Sequence, residues 1–182
     1  MNVVRIWLQA KRVAVTAKLG AQCDAKALNY PCHIAPWGQQ SRDTRTYMEW
    51  NGAYAALLFI NNWEYTRDAV FAKNTTLPLL EGLNAWSHCY LQRSSNGTLE
   101  DWNDFVPDQI FENGPGRNPS IGLALMMRVA TAHRDIAHAI GEAYPAYVDD
   151  IIGNLAPYPV VPGPAGSSER VWAAATDRTW VS

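Results

Sequence analysis

The stretch Thr46-Tyr47-Met48-Glu49-Trp50-Asn51-Gly52-Ala53-Tyr54-Ala55-Ala56-Leu57-Leu58-Phe59-Ile60-Asn61-Asn62-Trp63-Glu64-Tyr65 repeats apolar side chains at Ala53, Ala56, Leu57, Ile60 and Trp63. Steps of three and four are the period of an α-helix, so the segment reads as one. Thr46 and Glu49 supply a Ser/Thr-x-x-Glu start, in which each side chain satisfies a backbone N–H of the other residue. From Ala53 to Ile60 the run is apolar all round, which predicts a helix buried on both faces. It is also the longest uninterrupted apolar run, far short of the roughly 20 residues that cross a bilayer.

The same period recurs on either side. A first helix is expected from about Val3 to Leu28, carrying Val4, Trp7, Leu8, Val15, Leu19 and Cys23, with a bend at Gly20 and a stop at Asn29 and Pro31. Arg67 to Lys73 reads as a short helical turn. Thr76 and Pro78 open a third helix ending near Arg93; its apolar face is Leu79, Leu80, Leu83, Trp86, Cys89 and Tyr90. Glu81, Asn84 and Ser87 fall off that face and predict an outer position. Asn118 and Pro119, a cap and a first-turn proline, open a fourth helix that Gly141 stops after Ile140. A short fifth runs from about Pro145 to Leu155, ahead of Pro157 and Pro159. Pro159 to Ser168 reads as a linker and Arg170 to Ala175 as a short strand. The expected fold is all-α, with about five helices as antiparallel hairpins and a short C-terminal strand. Residues 1–158 form the helical domain and residues 159–182 a Pro/Gly-rich tail.

Loop lengths add the architecture. The connections Tyr30 to Arg45 and Ser94 to Arg117 are long, and those after the second and fourth helices are short. Antiparallel packing of consecutive helices puts both long loops at one end, and loops of that length inside a compact domain are often functional. From the second helix to the fourth, Thr46 to Pro119, is a step of 73 residues, and from the third to the fifth, Thr76 to Pro145, is 69. The repetition is of helical hairpins, about two and a half of them, with no recurring sequence motif.

Of 182 residues 48% are hydrophobic and 18% charged, so a core of domain size is available. A formal charge of −2 supplies no basic field for nucleic acid or for a membrane surface. The N-terminus shows no charged region followed by an apolar run and a small-residue cleavage site. Cys23, Cys32 and Cys89 are odd in number and lack CxxC spacing, so no zinc site is expected; one pair can form, and free thiols are the expectation. Asn74-Thr75-Thr76 and Asn96-Gly97-Thr98 are two glycosylation sequons, which mark exposed loops if the chain enters a secretory pathway.

Eight Trp and eight Tyr against four Phe favour rings that fill cores and stack on sugar faces. The second long loop places Glu100, Asp101, Asp104 and Asp108 beside Trp102 and Asn103. Glycoside hydrolysis needs two carboxyl groups across the scissile bond, and an apolar neighbour such as Trp102 raises a carboxyl pKa towards that of a general acid. A solvated acidic loop that caps a turn is the other reading of the same residues. The first long loop offers His33, Trp37 and Gln39 for a sugar subsite, although Trp37 equally suits a plug at the end of the core. Glu49 and Trp50 lie at the same end, where Glu49 either completes the capping box or contacts substrate. His133 and His138 are five apart, do not share a helix face and read as structural; no metal or cofactor is expected. Gly122 and Ala124 permit close approach of a backbone or ligand near the start of the fourth helix.

Taken in order, Tyr30-Pro31-Cys32-His33 with Pro36-Trp37-Gly38, Trp63-Glu64-Tyr65-Thr66-Arg67-Asp68 with Phe71, and Leu77-Pro78-Leu79-Leu80-Glu81-Gly82 form a familiar set. Asn96-Gly97-Thr98-Leu99, Asn118-Pro119-Ser120-Ile121-Gly122-Leu123-Ala124 and Leu155-Ala156-Pro157-Tyr158-Pro159 extend it. The set resembles the six-hairpin glycosidase superfamily, nearest to glycoside hydrolase family 95, the α-L-fucosidase-like enzymes. The resemblance implies an (α/α)6 toroid, inverting hydrolysis of an O-glycosidic bond in an oligosaccharide or glycoconjugate, and a secreted or secretory-pathway parent protein. It makes the second and fourth helices inner ones. It carries the family's general-acid Glu onto the stretch Leu99 to Asp108, with Glu100 the first candidate and Asp104 the second. The family's water-holding residues find no match here. Six hairpins at roughly 70 residues each exceed this chain, so it reads as a fragment, with the apolar sides of its inner helices exposed and open to aggregation or a swapped assembly. Two other classes stay open. One is a non-catalytic helical scaffold or sugar-binding remnant of the same fold. The other is a polysaccharide lyase, for which Tyr30, Tyr47 or His33 would have to act as base.

Overall fold

The computed structural model describes residues 23, 25–30, 48–104, 116–163 and 168–176. Helix α1 spans Asn51–Thr66, α2 Ala69–Phe71, α3 Leu77–Tyr90, α4 Ser120–Ile140 and α5 Tyr147–Asn154, and a π-helical turn over Ala72–Thr76 joins α2 to α3. Short strands pair as three antiparallel ribbons: β1 (Gln92–Arg93) with β2 (Leu99–Glu100), β3 (Trp102–Asp104) with β4 (Gly116–Arg117), and β5 (Val160–Pro162) with β6 (Arg170–Trp172). The described chain is mostly helical, as its periodicity predicts.

Local chemistry sets the boundaries. Gly141, at φ 72°, ends α4 in the left-handed conformation expected of it. Asp68 accepts the Phe71 N–H at 3.0 Å and starts α2 inside the predicted turn. The start of α1 differs from expectation: the helix opens at Asn51, not near Thr46, and Glu49 stands outside it. The Glu49 N–H is held by Asp104 Oδ1 at 3.0 Å and its carboxylate accepts from Asn29 Nδ2 at 2.7 Å, so tertiary bonds replace the capping box. Asn118 likewise does not cap α4. Pro119 takes the cap position, and Asn118 Oδ1 accepts the Asp101 N–H instead.

The core lies among α1, α3 and α4, where Ile60, Leu79, Leu80, Leu83, Val129 and Ile136 are buried together. A second cluster, Leu91, Leu99, Met126, Val148 and Ile151, seats α5 and the β1–β2 ribbon against α4. Helix α3 is not an outer helix: Asn84 and Ser87, predicted to face outward, are buried as well. Asn84 Nδ2 meets His133 Nδ1 of α4 at 3.1 Å and Ser87 Oγ bonds the Leu83 carbonyl at 3.0 Å, so the Asn84 amide nitrogen and the Ser87 hydroxyl enter the core with a partner, while Asn84 Oδ1 is buried with none among the described residues. Nor is α1 buried on both faces. Tyr54 and Leu58, one turn apart, are 62% and 74% exposed, which leaves an apolar stripe along the helix.

Most of the predicted first helix lies outside the described residues, and its expected last turn, Ala25 to Leu28, is not helical. That segment lies on α3. The Leu28 N–H donates to the Gly82 carbonyl at 2.8 Å, and Cys23 is joined to Cys89 in a disulfide, contrary to the expectation of free thiols. The spacing rule missed the pair because the partners are 66 residues apart and meet only through this packing. Approach at Gly82 is so close that an added Cβ would stand 2.3 Å from Leu28 Cδ1 and 2.9 Å from the Lys26 carbonyl oxygen. Overpacking costs about 1–3 kcal/mol, against about 1 kcal/mol gained in helix propensity on replacing glycine by alanine. The backbone oxygen cannot rotate away, so overpacking wins. Gly82→Ala is expected to lower the unfolding free energy by about 1–2 kcal/mol, read as a lower urea midpoint at unchanged slope; an unchanged or higher midpoint would contradict the contact.

The tail is tied to the helical body. Ser120 donates its N–H to Ala174 and its hydroxyl to Ala173, and the Thr176 N–H reaches the Arg117 carbonyl. Part of the predicted linker is β5, which pairs with β6 inside the expected strand.

Candidate active site

Between β2 and the start of α4 the backbone is fastened by a reciprocal pair. The Asn118 N–H donates to the Asp101 carbonyl at 2.7 Å and Asn118 Oδ1 accepts the Asp101 N–H at 2.8 Å. Asn118 adopts φ 51° to do so, a conformation asparagine tolerates better than most residues. This clasp turns Asp101 inward. The Tyr90 hydroxyl, from the end of α3, shares its proton between Asp101 Oδ1 at 2.9 Å and the Trp102 carbonyl at 2.6 Å. Asp101 and Asp104 are both fully buried, and Glu49 is buried beside them.

Gly122, in the first turn of α4, makes room for the pair. An added Cβ there would lie 3.0 Å from Asp101 Oδ2 and 3.3 Å from Asp104 Oδ2, so the two oxygens converge on one point. This is the close approach expected of Gly122, and what approaches is two carboxyl groups. Burial pushes the Asp101 carboxyl up to about 7, with the Glu49 charge adding to the rise, while hydrogen bonds with Tyr90 and Asp104 pull it down. Burial, with the negative charges of Asp101 and Asp104, also lifts the Tyr90 phenol above its ordinary value. Two carboxyls this close do not both ionise readily, and a proton held by one serves as a donor to the other. Near neutral pH Asp101 therefore passes between its acid and base forms, the property required of a general acid or base.

The other predicted residues divide around this pair. Glu100 lies apart from Asp104: it lines an open cavity of about 410 Å³ with Asn96, Thr98, Arg117, Asn118 and Tyr158. Both Glu100 oxygens accept from Arg117 Nη2 at 2.6 Å, and Oε2 also accepts from Trp102 Nε1 at 3.0 Å. The guanidinium stacks over the Trp102 ring at 4.2 Å. Trp102 thus orders Glu100 by hydrogen bonding and does not wrap it in an apolar wall. Trp50 is buried against Tyr54 at the start of α1. Asn103 lies in β3; His33, Trp37, Gln39 and Asp108 lie outside the described residues.

His133 is buried, and burial lowers its pKa to about 4. His138 packs edge-on to Tyr144. His133 is held in the core by Asn84, and His138 is exposed. Among the described residues no group of three His, Cys, Asp or Glu side chains is arranged to hold a metal ion, and no helix is long and apolar enough to cross a membrane.

Sequence reading did not weight Tyr90, Arg117 or Asn118. Tyr90 sat on an apolar helix face and Asn118 in a cap position, and their partners lie 11 and 17 residues away across a turn. Asp101 was visible in its acidic run, but nothing in the run says which of alternate strand residues points inward. In comparison with known proteins, no family model and no curated sequence matches this chain.

Proposed function

We propose that the chain is part of an inverting glycoside hydrolase of the α-L-fucosidase-like kind, built as a partial (α/α)6 toroid and acting on O-glycosidic bonds of an oligosaccharide or glycoconjugate in the secretory pathway or outside the cell. The observation that carries this reading is the convergence of Asp101 and Asp104 on Gly122, with a proton retained near neutral pH. The sequence strings that resemble those of six-hairpin glycosidases support it, as do the helical hairpins.

In this reading Asp101 is the general acid, its proton retained by burial while Tyr90 donates to its Oδ1 and positions it, and Glu100 orients Arg117 and Trp102. The two aspartate oxygens are closer than the roughly 6.5–9.5 Å of an inverting acid and base. They therefore act as one unit on the leaving-group side, and the base that activates water comes from elsewhere in the parent. Proton transfer by a placed acid contributes about 10²–10⁴-fold. Asp101→Asn in the parent enzyme is expected to lower kcat on an unactivated fucosyl oligosaccharide by about that factor, and much less on a dinitrophenyl fucoside, whose leaving group needs no proton. Equal rates for variant and parent on the oligosaccharide would remove Asp101 from the mechanism.

A second reading is a non-catalytic scaffold or sugar-binding remnant. The complete burial of Asp101 and Asp104 favours it, because a catalytic acid must touch its substrate. Undiminished sugar binding without turnover, in the parent and in Asp101→Asn alike, is its expected result.

A further inference from the structure

The two sequons sit in opposite structural settings. Asn74-Thr75-Thr76 lies within the π-helical turn, and the Thr76 hydroxyl is buried with no hydrogen-bond partner among the described residues. Residues two apart on a helical turn do not face each other, so Asn74 and Thr76 cannot be presented together. Asn96-Gly97-Thr98 forms the tip of the β1–β2 hairpin, where Gly97 takes φ 88°. Asn96 is exposed, and its Oδ1 accepts both the Thr98 N–H at 3.1 Å and the Ser94 hydroxyl at 2.5 Å. That Asx turn brings the carboxamide and the threonine to one side. The Cys23–Cys89 disulfide belongs to a compartment where such bonds persist, the kind in which asparagine is glycosylated.

We propose that Asn96 is an N-glycan acceptor and that Asn74 is not. In the transfer, Asn96 Nδ2 loses a proton and bonds to the anomeric carbon of the first sugar of a lipid-diphosphate-linked oligosaccharide. The bond from that carbon to the diphosphate oxygen breaks, and the lipid diphosphate leaves with the electron pair. No oxidant or reductant takes part. Asn96 and Tyr158 line the same cavity, so the first sugars have the exposed Tyr158 ring to lie against. The inference is independent of hydrolysis.

The test is to express the full chain behind a secretion leader in a eukaryotic host, and to measure the intact mass of all of it, cell-associated and secreted, before and after peptide-N-glycosidase. One glycan is expected, with Asn96 converted to Asp by its removal. It should vanish in Thr98→Ala, persist in Thr98→Ser and be unaffected by Asn74→Gln. Thr98 bonds to Ser94 and Asn96 through its backbone carbonyl and N–H, so Thr98→Ala spares the hairpin. Absence of a glycan, its survival in Thr98→Ala, or occupancy of Asn74 would each overturn the proposal.

Discussion

Removing the Cys23–Cys89 cross-link, by Cys23→Ala with Cys89→Ala, will lower the unfolding free energy by about 4 kcal/mol. The bond spans 66 residues, and closing a loop of that length deprives the unfolded chain of entropy in that amount on the chain-entropy account. For a domain with a typical total of about 5–15 kcal/mol, this is a large share. The non-covalent contacts of the same segment include the Leu28 to Gly82 backbone bond, the Lys26 to Glu81 ion pair at 2.5 Å, the Asn29 to Glu49 hydrogen bond at 2.7 Å, and burial of Ala27, Leu28 and Tyr30. The ion pair is exposed and adds at most about 1 kcal/mol. Urea unfolding of the unsubstituted protein and the double variant checks the figure. A loss below about 1 kcal/mol would mean that those contacts, and not the cross-link, dominate.

The second large effect concerns pH. Asp101 ionises near 3.8 when unfolded and near 7 when folded, so the folded state keeps a proton that the unfolded state releases. Its contribution to stability is fully present below about pH 4 and is lost as pH rises through 7. His133 works the other way. Its folded value of about 4 lies below its unfolded 6.5, so stability falls as pH drops from 6.5 towards 4. The two windows overlap and the slopes oppose, which predicts a shallow profile for the intact protein. Asp101→Asn removes one side, since an amide keeps an acceptor for Tyr90 and never ionises. Relative to the intact protein, its unfolding free energy should rise by about 2–4 kcal/mol between pH 4 and pH 7.5. The measurement is the difference between two urea titrations at each pH; a difference that does not change with pH would exclude a proton held at Asp101.

Much of the helical framework was legible because it rests on local periods. The end of α4 at Gly141, the start of α2 and the extent of α5 all follow from neighbours in sequence. What failed was set from a distance. The Thr46 to Glu49 signal is sound as a capping box, but Asn29 and Asp104 occupy the Glu49 groups and the helix starts later. Asn84 looks like a surface residue until His133 is placed opposite it. The acidic run from Glu100 to Asp104 announced a cluster, and its division into a partly buried Glu100 paired with Arg117 and two fully buried aspartates depends on Arg117, Asn118 and Gly122, all from the far side of the loop. Asp101 lies between two strands and the register of β3 shifts between Trp102 and Asp104, so that both aspartates are buried, and no count of charges in a window contains that information.

The clasp between residues 23–30 and α3 has a mechanical consequence. A segment held at one point can pivot, and one held at two can still turn about the line between them. Here Cys23 meets Cys89, Lys26 meets Glu81 and Leu28 meets Gly82, so the segment is fixed as a lever is fixed by a bolt and a groove. Beyond these points Asn29 grips the carboxylate of Glu49, whose own N–H holds Asp104. Cutting the sulfur bridge at one end of this lever therefore loosens the support of the buried acids at the other, and a thiol reagent acting at Cys23 and Cys89 would be felt as a change in the proton affinity of Asp101.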